Sequence, residues 1–198
     1  VFHISSAKEL GLFTNKIPLK EKRITSEVCI HHLWFSDEDY KTKGNFIKWN
    51  PSVKTVYDRD KLFAAMLDGT IDVVATDHAP HTIEEKSLPY LQAPRGGPLI
   101  QHSLQAMLQF HKQGKISLEK IAEKMCHNVA DLFKIKNRGY IREGYYADLT
   151  LVNLNKSQTV NKSNLLYKCG WSPFEAYTFN SVVEKTFVNG NLVYDNGN

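Results

Sequence analysis

The chemistry this sequence could perform concentrates in residues 71–81, IDVVATDHAPH. A short apolar run ends abruptly in Asp77, and His78 and His81 follow within four residues. A run of that kind reads as a parallel strand buried on both faces. In α/β barrels the residues that meet substrate sit at the C-terminal ends of the strands. Asp77 is then a carboxylate delivered to the mouth of a barrel, with two imidazoles on the loop beyond it. A carboxylate placed there can bind a divalent metal or carry a proton, and a neutral imidazole can bind a metal or hydrogen-bond a substrate. The plainer reading is a strand, a turn at Pro80 and two surface histidines. Composition alone leaves both open.

Four further groups have side chains or backbone suited to a site. His3 follows Val-Phe at the end of an extended stub. A lone His there is more often structural, though neutral imidazole suits zinc where an acceptor orients its other ring nitrogen. Asn50 precedes Pro51, which forces an extended backbone. Its amide can both donate and accept hydrogen bonds, and the plainer reading is a turn Asn. Gly96 and Gly97 permit close backbone approach to a ligand. No Gly-Lys-Ser/Thr follows them, so they do not form a phosphate loop. His31 and His32 are adjacent near the end of a second apolar segment, a pairing that looks like zinc.

IDVVATDHAPH resembles the last barrel strand of the dihydroorotases, in the cyclic-amidohydrolase branch of the amidohydrolase superfamily. Other segments resemble the same family in the same order: VFHISSAKEL (1–10) its sixth strand, EVCIHHLWF (27–35) its seventh, KWNPSVK (48–54) a substrate loop, and APRGGPLIQ (93–101) the loop after the last strand. The resemblance implies a fold that is the C-terminal part of a TIM-type (β/α)8 barrel followed by strands of a small β-sandwich. It implies that His3 and Asp77 each bind one of two zinc ions, and that Asp77 is also the catalytic general base. It gives Asn50, His81 and the Gly97 backbone to substrate, His78 to loop structure, and no metal to His31 or His32. The two zinc ions would be bridged by a carboxylated Lys that this chain lacks, as it lacks the family's His-x-His. Lys54 stands where many relatives have Arg, and Pro98-Leu99 where they often have Pro-Gly. The chain thus reads as the C-terminal half of its enzyme, expected to be inactive alone and to associate with its missing N-terminal half. The implied activity is reversible hydrolysis of (S)-dihydroorotate to N-carbamoyl-L-aspartate in pyrimidine synthesis, by a cytoplasmic homo-oligomer acting on a small molecule. The alternatives are another cyclic amidase, of allantoinase or hydantoinase type, and a non-catalytic dihydroorotase-like partner.

The elements that must position these residues are legible from periodicity. Strands are expected over 1–4, 27–30 and 71–76. A helix capped by Asp58 carries Leu62, Phe63, Met66 and Leu67 and closes at Gly69. Pro98 opens a helix bearing Ile100, Leu104, Met107 and Leu108, which ends at Gly114. Ser117 caps the next helix, and Asn128 a short one toward Phe133. Strand–helix alternation of this kind implies a parallel sheet. Near Gly139 the pattern changes to period two, over 147–154 and again over 182–194 around Asn189-Gly190, a hairpin signal. We therefore expect a barrel part over 1–138 and a β unit over 139–198. Cys29, Cys126 and Cys169 are odd in number and without a Cys-x-x-Cys pair, and read as reduced thiols. The net charge of +4 is spread among mixed Lys and Glu, which argues against a nucleic-acid surface. No apolar run approaches the ~20 residues of a membrane span.

Overall fold

The structure, a computed structural model, describes residues 1–196. Its parallel part is built on β1 (Glu27–Cys29) and β2 (Val73–Ala75), which pair with Glu27 opposite Val73 and Cys29 opposite Ala75. Residues 1–4 run along the other side of β1: the Glu27 amide donates to the Val1 carbonyl at 3.0 Å, and the Ile4 amide to the Glu27 carbonyl at 2.8 Å. The strand expected at 1–4 is therefore an extended segment with two bonds rather than a regular strand. The cause is local, because His3 has φ +58° and interrupts the pleat.

The chain leaves β1 directly into the short helix α1 (Ile30–Trp34), so His31 and His32 lie on a helical turn and not at a strand end. After the one-turn helix α2 (Tyr40–Lys43) comes α3 (Val56–Asp68). Its cap is Thr55, whose hydroxyl accepts from the Asp58 amide, while Asp58 sits three residues on and reaches back in a capping box. The expected Asp58 cap is thus displaced by one turn. Past β2, α4 (Ile83–Lys86) is opened by a second such box, Thr82 with Glu85. Next come α5 (Ser103–Lys112), entered through a 3₁₀ turn at Ile100–His102, and α6 (Leu118–Ala122), capped by Ser117 as its sequence predicts. A π turn over Glu123–His127 carries α6 straight into α7 (Asn128–Leu132). Asn128 therefore caps nothing; its amide donates to the Asp72 carbonyl at 2.8 Å, tying this helix to the approach to β2.

Beyond residue 148 the strands are antiparallel. A sheet of order β3 (Leu149–Asn153), β6 (Val182–Val188), β7 (Asn191–Asp195) is accompanied by the two-stranded pair β4 (Gln158–Thr159) and β5 (Thr178–Phe179). The β6–β7 turn is Asn189-Gly190, with φ +53° and +80°, as its sequence requires. The segment between β4 and β5 returns to the parallel part. Trp34 of α1 meets Phe174 and Tyr177 edge-on at 5.2 and 5.0 Å between centroids, and also packs on Phe110 of α5. This aromatic cluster belongs to one core with Ile30, Leu33, Leu62, Met66 and Phe179. No helix of the described residues is long and apolar enough to cross a membrane.

Candidate active site

Two residues singled out by the sequence meet at the ends of neighbouring extended segments: His3 Nε2 lies 3.5 Å from Asp77 Oδ1. Both have left-handed backbone, φ +58° and +47°. Non-glycine residues seldom adopt that region, at a cost of roughly 1–3 kcal/mol each, and such strain collects where side-chain aim matters. Each side chain is a little over a quarter exposed, so solvent reaches the pair.

The tautomer of His3 follows from its other neighbour. Glu27 Oε1 lies 2.8 Å from Nδ1, and a carboxylate only accepts, so Nδ1 carries the proton. Nε2 is then a bare lone pair facing a bare carboxylate oxygen. Such a pair repels unless a cation or a proton sits between them. The donor set, one imidazole oriented by a buried carboxylate plus one carboxylate, suits a zinc ion, and the carboxylate–histidine arrangement is what raises ligand basicity at such sites. Cys29 completes the cluster, its Sγ 3.0 Å from His3 Nδ1 and 3.7 Å from Glu27 Oε1. Burial, then the charges of Glu27 and Asp77, push its thiol well above the ordinary range, so it is a neutral thiol. Neither Glu27 nor Cys29 was singled out by sequence reasoning. The signal that could have found Glu27 is a carboxylate opening an otherwise apolar strand.

The loop after Asp77 is held by its own side chains. His78 Nδ1 accepts from the Leu99 amide at 3.1 Å and the Ile100 amide at 3.4 Å, a loop-tying bond, and burial lowers its pKa. His81 Nε2 donates to the Arg95 carbonyl at 2.9 Å, its Nδ1 lies 3.7 Å from Glu85, and its own carbonyl accepts from Trp171 Nε1 at 2.7 Å. His81 thus faces its loop rather than His3. Two buried lysines brace the next stretch. Lys86 Nζ donates to the Gly96 and Pro94 carbonyls at 2.7 and 3.1 Å, and Lys48 Nζ to the Ala93 carbonyl at 2.6 Å. Burial, and secondarily the Lys48 charge, brings Lys86 down to about 8.

Gly96 and Gly97 are required by protein packing. A Cβ on Gly96, at φ +108°, would stand 2.7 Å from both Cβ and O of Ala79; one on Gly97 would stand 2.9 Å from Trp49 Cζ2 and 3.1 Å from Trp171 Cη2. Asn50, next to Trp49, is exposed, and Lys54 Nζ turns to Ser52 Oγ at 2.7 Å. The structure therefore brings His3 and Asp77 together, and leaves Asn50, His81 and Gly97 on the surrounding loops without direct contact to that pair. His31 and His32 are buried beside Cys29. A cavity of about 850 Å³ opens between the 78–85 loop and the antiparallel sheet, lined by His78, His81, Glu85, Tyr167, Lys168 and Tyr194 among others. Neither His3 nor Asp77 borders it, so this cavity is not the place where the metal-type donors meet.

Comparison with known proteins rests on this geometry. The profile of the amidohydrolase family matches residues 9–193. This chain belongs to the amidohydrolase family. It is similar to dihydroorotases: 36% identical over 171 residues to that of Halobacterium salinarum, covering 86% of this chain and 40% of that protein. It is 36% identical over 196 residues to that of Fusobacterium nucleatum, covering 98% and 45%. The chain spans less than half the length of these relatives. Among solved structures it is similar to L-hydantoinase from Arthrobacter aurescens, with TM-score 0.91 at 26% identity, covering all of this chain and 45% of that one. Dihydropyrimidinase from Brevibacillus agri superposes with TM-score 0.88 at 23% identity, covering all of this chain and 44% of that one. The fold is accordingly that of the C-terminal part of a TIM-type barrel hydrolase, with the small β unit after it.

Proposed function

We propose that the whole protein is a zinc-dependent dihydroorotase, interconverting (S)-dihydroorotate and N-carbamoyl-L-aspartate in cytoplasmic pyrimidine synthesis. The observation that carries the reading is the His3–Asp77 pair, with the second nitrogen of His3 already taken by Glu27. Residues 1–138 serve as barrel and 139–198, of which 197 and 198 lie outside the described residues, as part of the flanking β-sandwich. The remaining metal ligands, a carboxylated Lys among them, would come from sequence outside this chain. Zinc, when bound, polarises the scissile carbonyl and lowers the pKa of water.

Asp77 accepts the proton of the attacking water and returns it to the ring nitrogen as the C–N bond breaks, which makes it general base and then general acid. His3 holds its place through Glu27. Asn50 pairs with the –NH–CO– edge of the ring, and the Gly97 backbone flanks it. His81 serves the substrate carboxylate by turning its Nε2–H from the Arg95 carbonyl. A hydantoinase-type cyclic amidase is the second reading, favoured by the solved neighbours. The higher identity to dihydroorotases, 36% against 26%, supports the first.

The test is kinetic. Asp77→Asn in the intact protein is expected to lower turnover of dihydroorotate by ~10²–10⁴-fold. Retention of more than about a tenth of wild-type turnover would remove Asp77 from proton transfer, and faster hydrolysis of hydantoin than of dihydroorotate would select the second reading.

A further inference from the structure

Behind the His3–Asp77 pair lies a second set of donors that the reading above does not use. Cys29, His31 and His32 each place one ligand atom within 4.8 Å of the others, and all three are buried. Their convergence follows from the backbone. Cys29 ends β1 in extended geometry (φ −88°, ψ 149°), and the chain then turns at once into α1. The switch from strand to helical turn brings residues two and three positions on back to the side of Cys29.

Both imidazoles are presented as ligands. His32 Nε2 lies 3.1 Å from the Pro51 carbonyl, which only accepts, so Nε2 carries the hydrogen. Nδ1 is therefore a lone pair, buried and without a hydrogen-bond partner. An outer carbonyl fixing the tautomer of an inward nitrogen is the usual support of a metal-binding histidine. His31 is fully buried, and neither ring nitrogen has a partner of good geometry, although the Thr76 backbone acts on the ring. Its ring is held flat against Trp49, with centroids 4.2 Å apart and planes 8° apart. Buried polar atoms normally find partners, so the lone pair of His32 Nδ1 and the one lone pair of a neutral His31, both unpartnered beside a thiol, call for an occupant.

We propose that Cys29, His31 and His32 form a separate metal site of one sulfur and two nitrogen donors, for zinc or a cation of similar softness. Zn–S of ~2.3 Å and Zn–N of ~2.0–2.1 Å set ligand separations of roughly 3.5 Å around a tetrahedral ion, so small side-chain rotations close the site. Binding replaces the S–H bond of Cys29 by an S–metal bond. The proton passes to the Glu27 carboxylate, 3.7 Å away, and out past the partly exposed His3. Three protein donors leave a fourth position for water. Thiolate with imidazole selects zinc over magnesium or calcium, which prefer oxygen.

The test uses cobalt(II) as a spectroscopic stand-in for zinc, titrated into the intact metal-free protein. The His3–Asp77 pair brings only nitrogen and oxygen donors, so a thiolate-to-cobalt charge-transfer absorption reports a cysteine ligand, and its dependence on His31 assigns that ligand to the Cys29–His31–His32 set rather than to Cys29 beside His3. The expected result is one equivalent of such absorption, unchanged in Asp77→Asn, absent in Cys29→Ser, and needing at least tenfold more cobalt in His31→Phe, which keeps the stack on Trp49. The double variant Cys126→Ala/Cys169→Ala leaves Cys29 the one thiol among the described residues and should keep the absorption even if Cys29→Ser fails to fold. Absence of charge transfer in the cobalt-saturated wild type or in the double variant overturns the site, as does its survival in folded Cys29→Ser. Dihydroorotate hydrolysis, read on the same samples, separates failure of this site from failure of the proposed activity.

Discussion

Glu27 is the residue whose replacement most directly tests how His3 is held. Its carboxylate is buried and accepts from His3 Nδ1 at 2.8 Å, which leaves Nε2 free to face Asp77 Oδ1. Glu27→Gln keeps the shape and one carbonyl acceptor but removes the charge. A charge-assisted hydrogen bond is roughly twice as strong as a neutral one, so the imidazole becomes a poorer donor to metal. Losing such a carboxylate partner typically lowers metal affinity or activity ~10–100-fold, or ~1.4–2.7 kcal/mol at 1.36 kcal/mol per decade. The side chain still fits, so the metal-free protein should unfold at the same temperature as wild type. The assay is zinc competition against a chelator of known affinity, alongside thermal unfolding of the metal-free form. Zinc affinity within threefold of wild type would refute the orienting role. So would a parallel fall of affinity and metal-free stability, since that marks Glu27 as merely structural.

Gly96→Ala should cost more stability than Gly97→Ala. The former combines left-handed backbone with two 2.7 Å contacts to Ala79, a strain of roughly 1–3 kcal/mol on top of overpacking, and equal unfolding midpoints for the two variants would contradict this. Burial brings His102 down to about 4 from 6.5, so the unfolded chain binds the extra proton between those values. Its contribution is complete above pH 6.5 and is lost as pH falls toward 4, on the order of 3 kcal/mol; urea unfolding across that range should show a smaller loss in His102→Phe. The 198-residue chain alone is expected to be inactive on dihydroorotate and to bind zinc weakly at His3 and Asp77, because catalytic zinc usually takes about three protein ligands. Activity assay and zinc titration of the isolated chain check this, and an active, monomeric chain would defeat the half-enzyme reading.

What the sequence made legible is whatever depends on neighbours along the chain. Asp77 stands at the end of an apolar run, Asn189-Gly190 turns a hairpin, and Ser117 caps α6, each within one local segment. Local reasoning failed where a distant partner won the competition. Asn128 has the chemistry of a cap but spends its amide on the Asp72 carbonyl, 56 positions back. Asp58 lost the capping position to Thr55 because the two cap each other, and part of its carboxylate is drawn to the Ala7 amide at 2.8 Å. Lys86 and Lys48 are buried, held by loop carbonyls that no local pattern shows. Trp171 reaches His81 across 90 residues.

The register of the parallel part explains why His3, Glu27 and Asp77 converge. The amide and carbonyl of Glu27 bond to Val1 and Ile4, which places His3 directly beside it. Cys29 pairs with Ala75, so Asp77 lies two residues past the last paired position, where the ladder no longer constrains φ. At that point the chain can turn left-handed at Asp77, as it does at His3. Had either residue kept extended backbone, its side chain would have stayed on the alternating pleat and pointed away from the other or along the strand. The two left-handed residues bring short side chains from two neighbouring segments to 3.5 Å of each other. Their cost, roughly 1–3 kcal/mol each, is carried by the buried core behind them, in which Ile4, Val28 and Val74 are almost wholly covered.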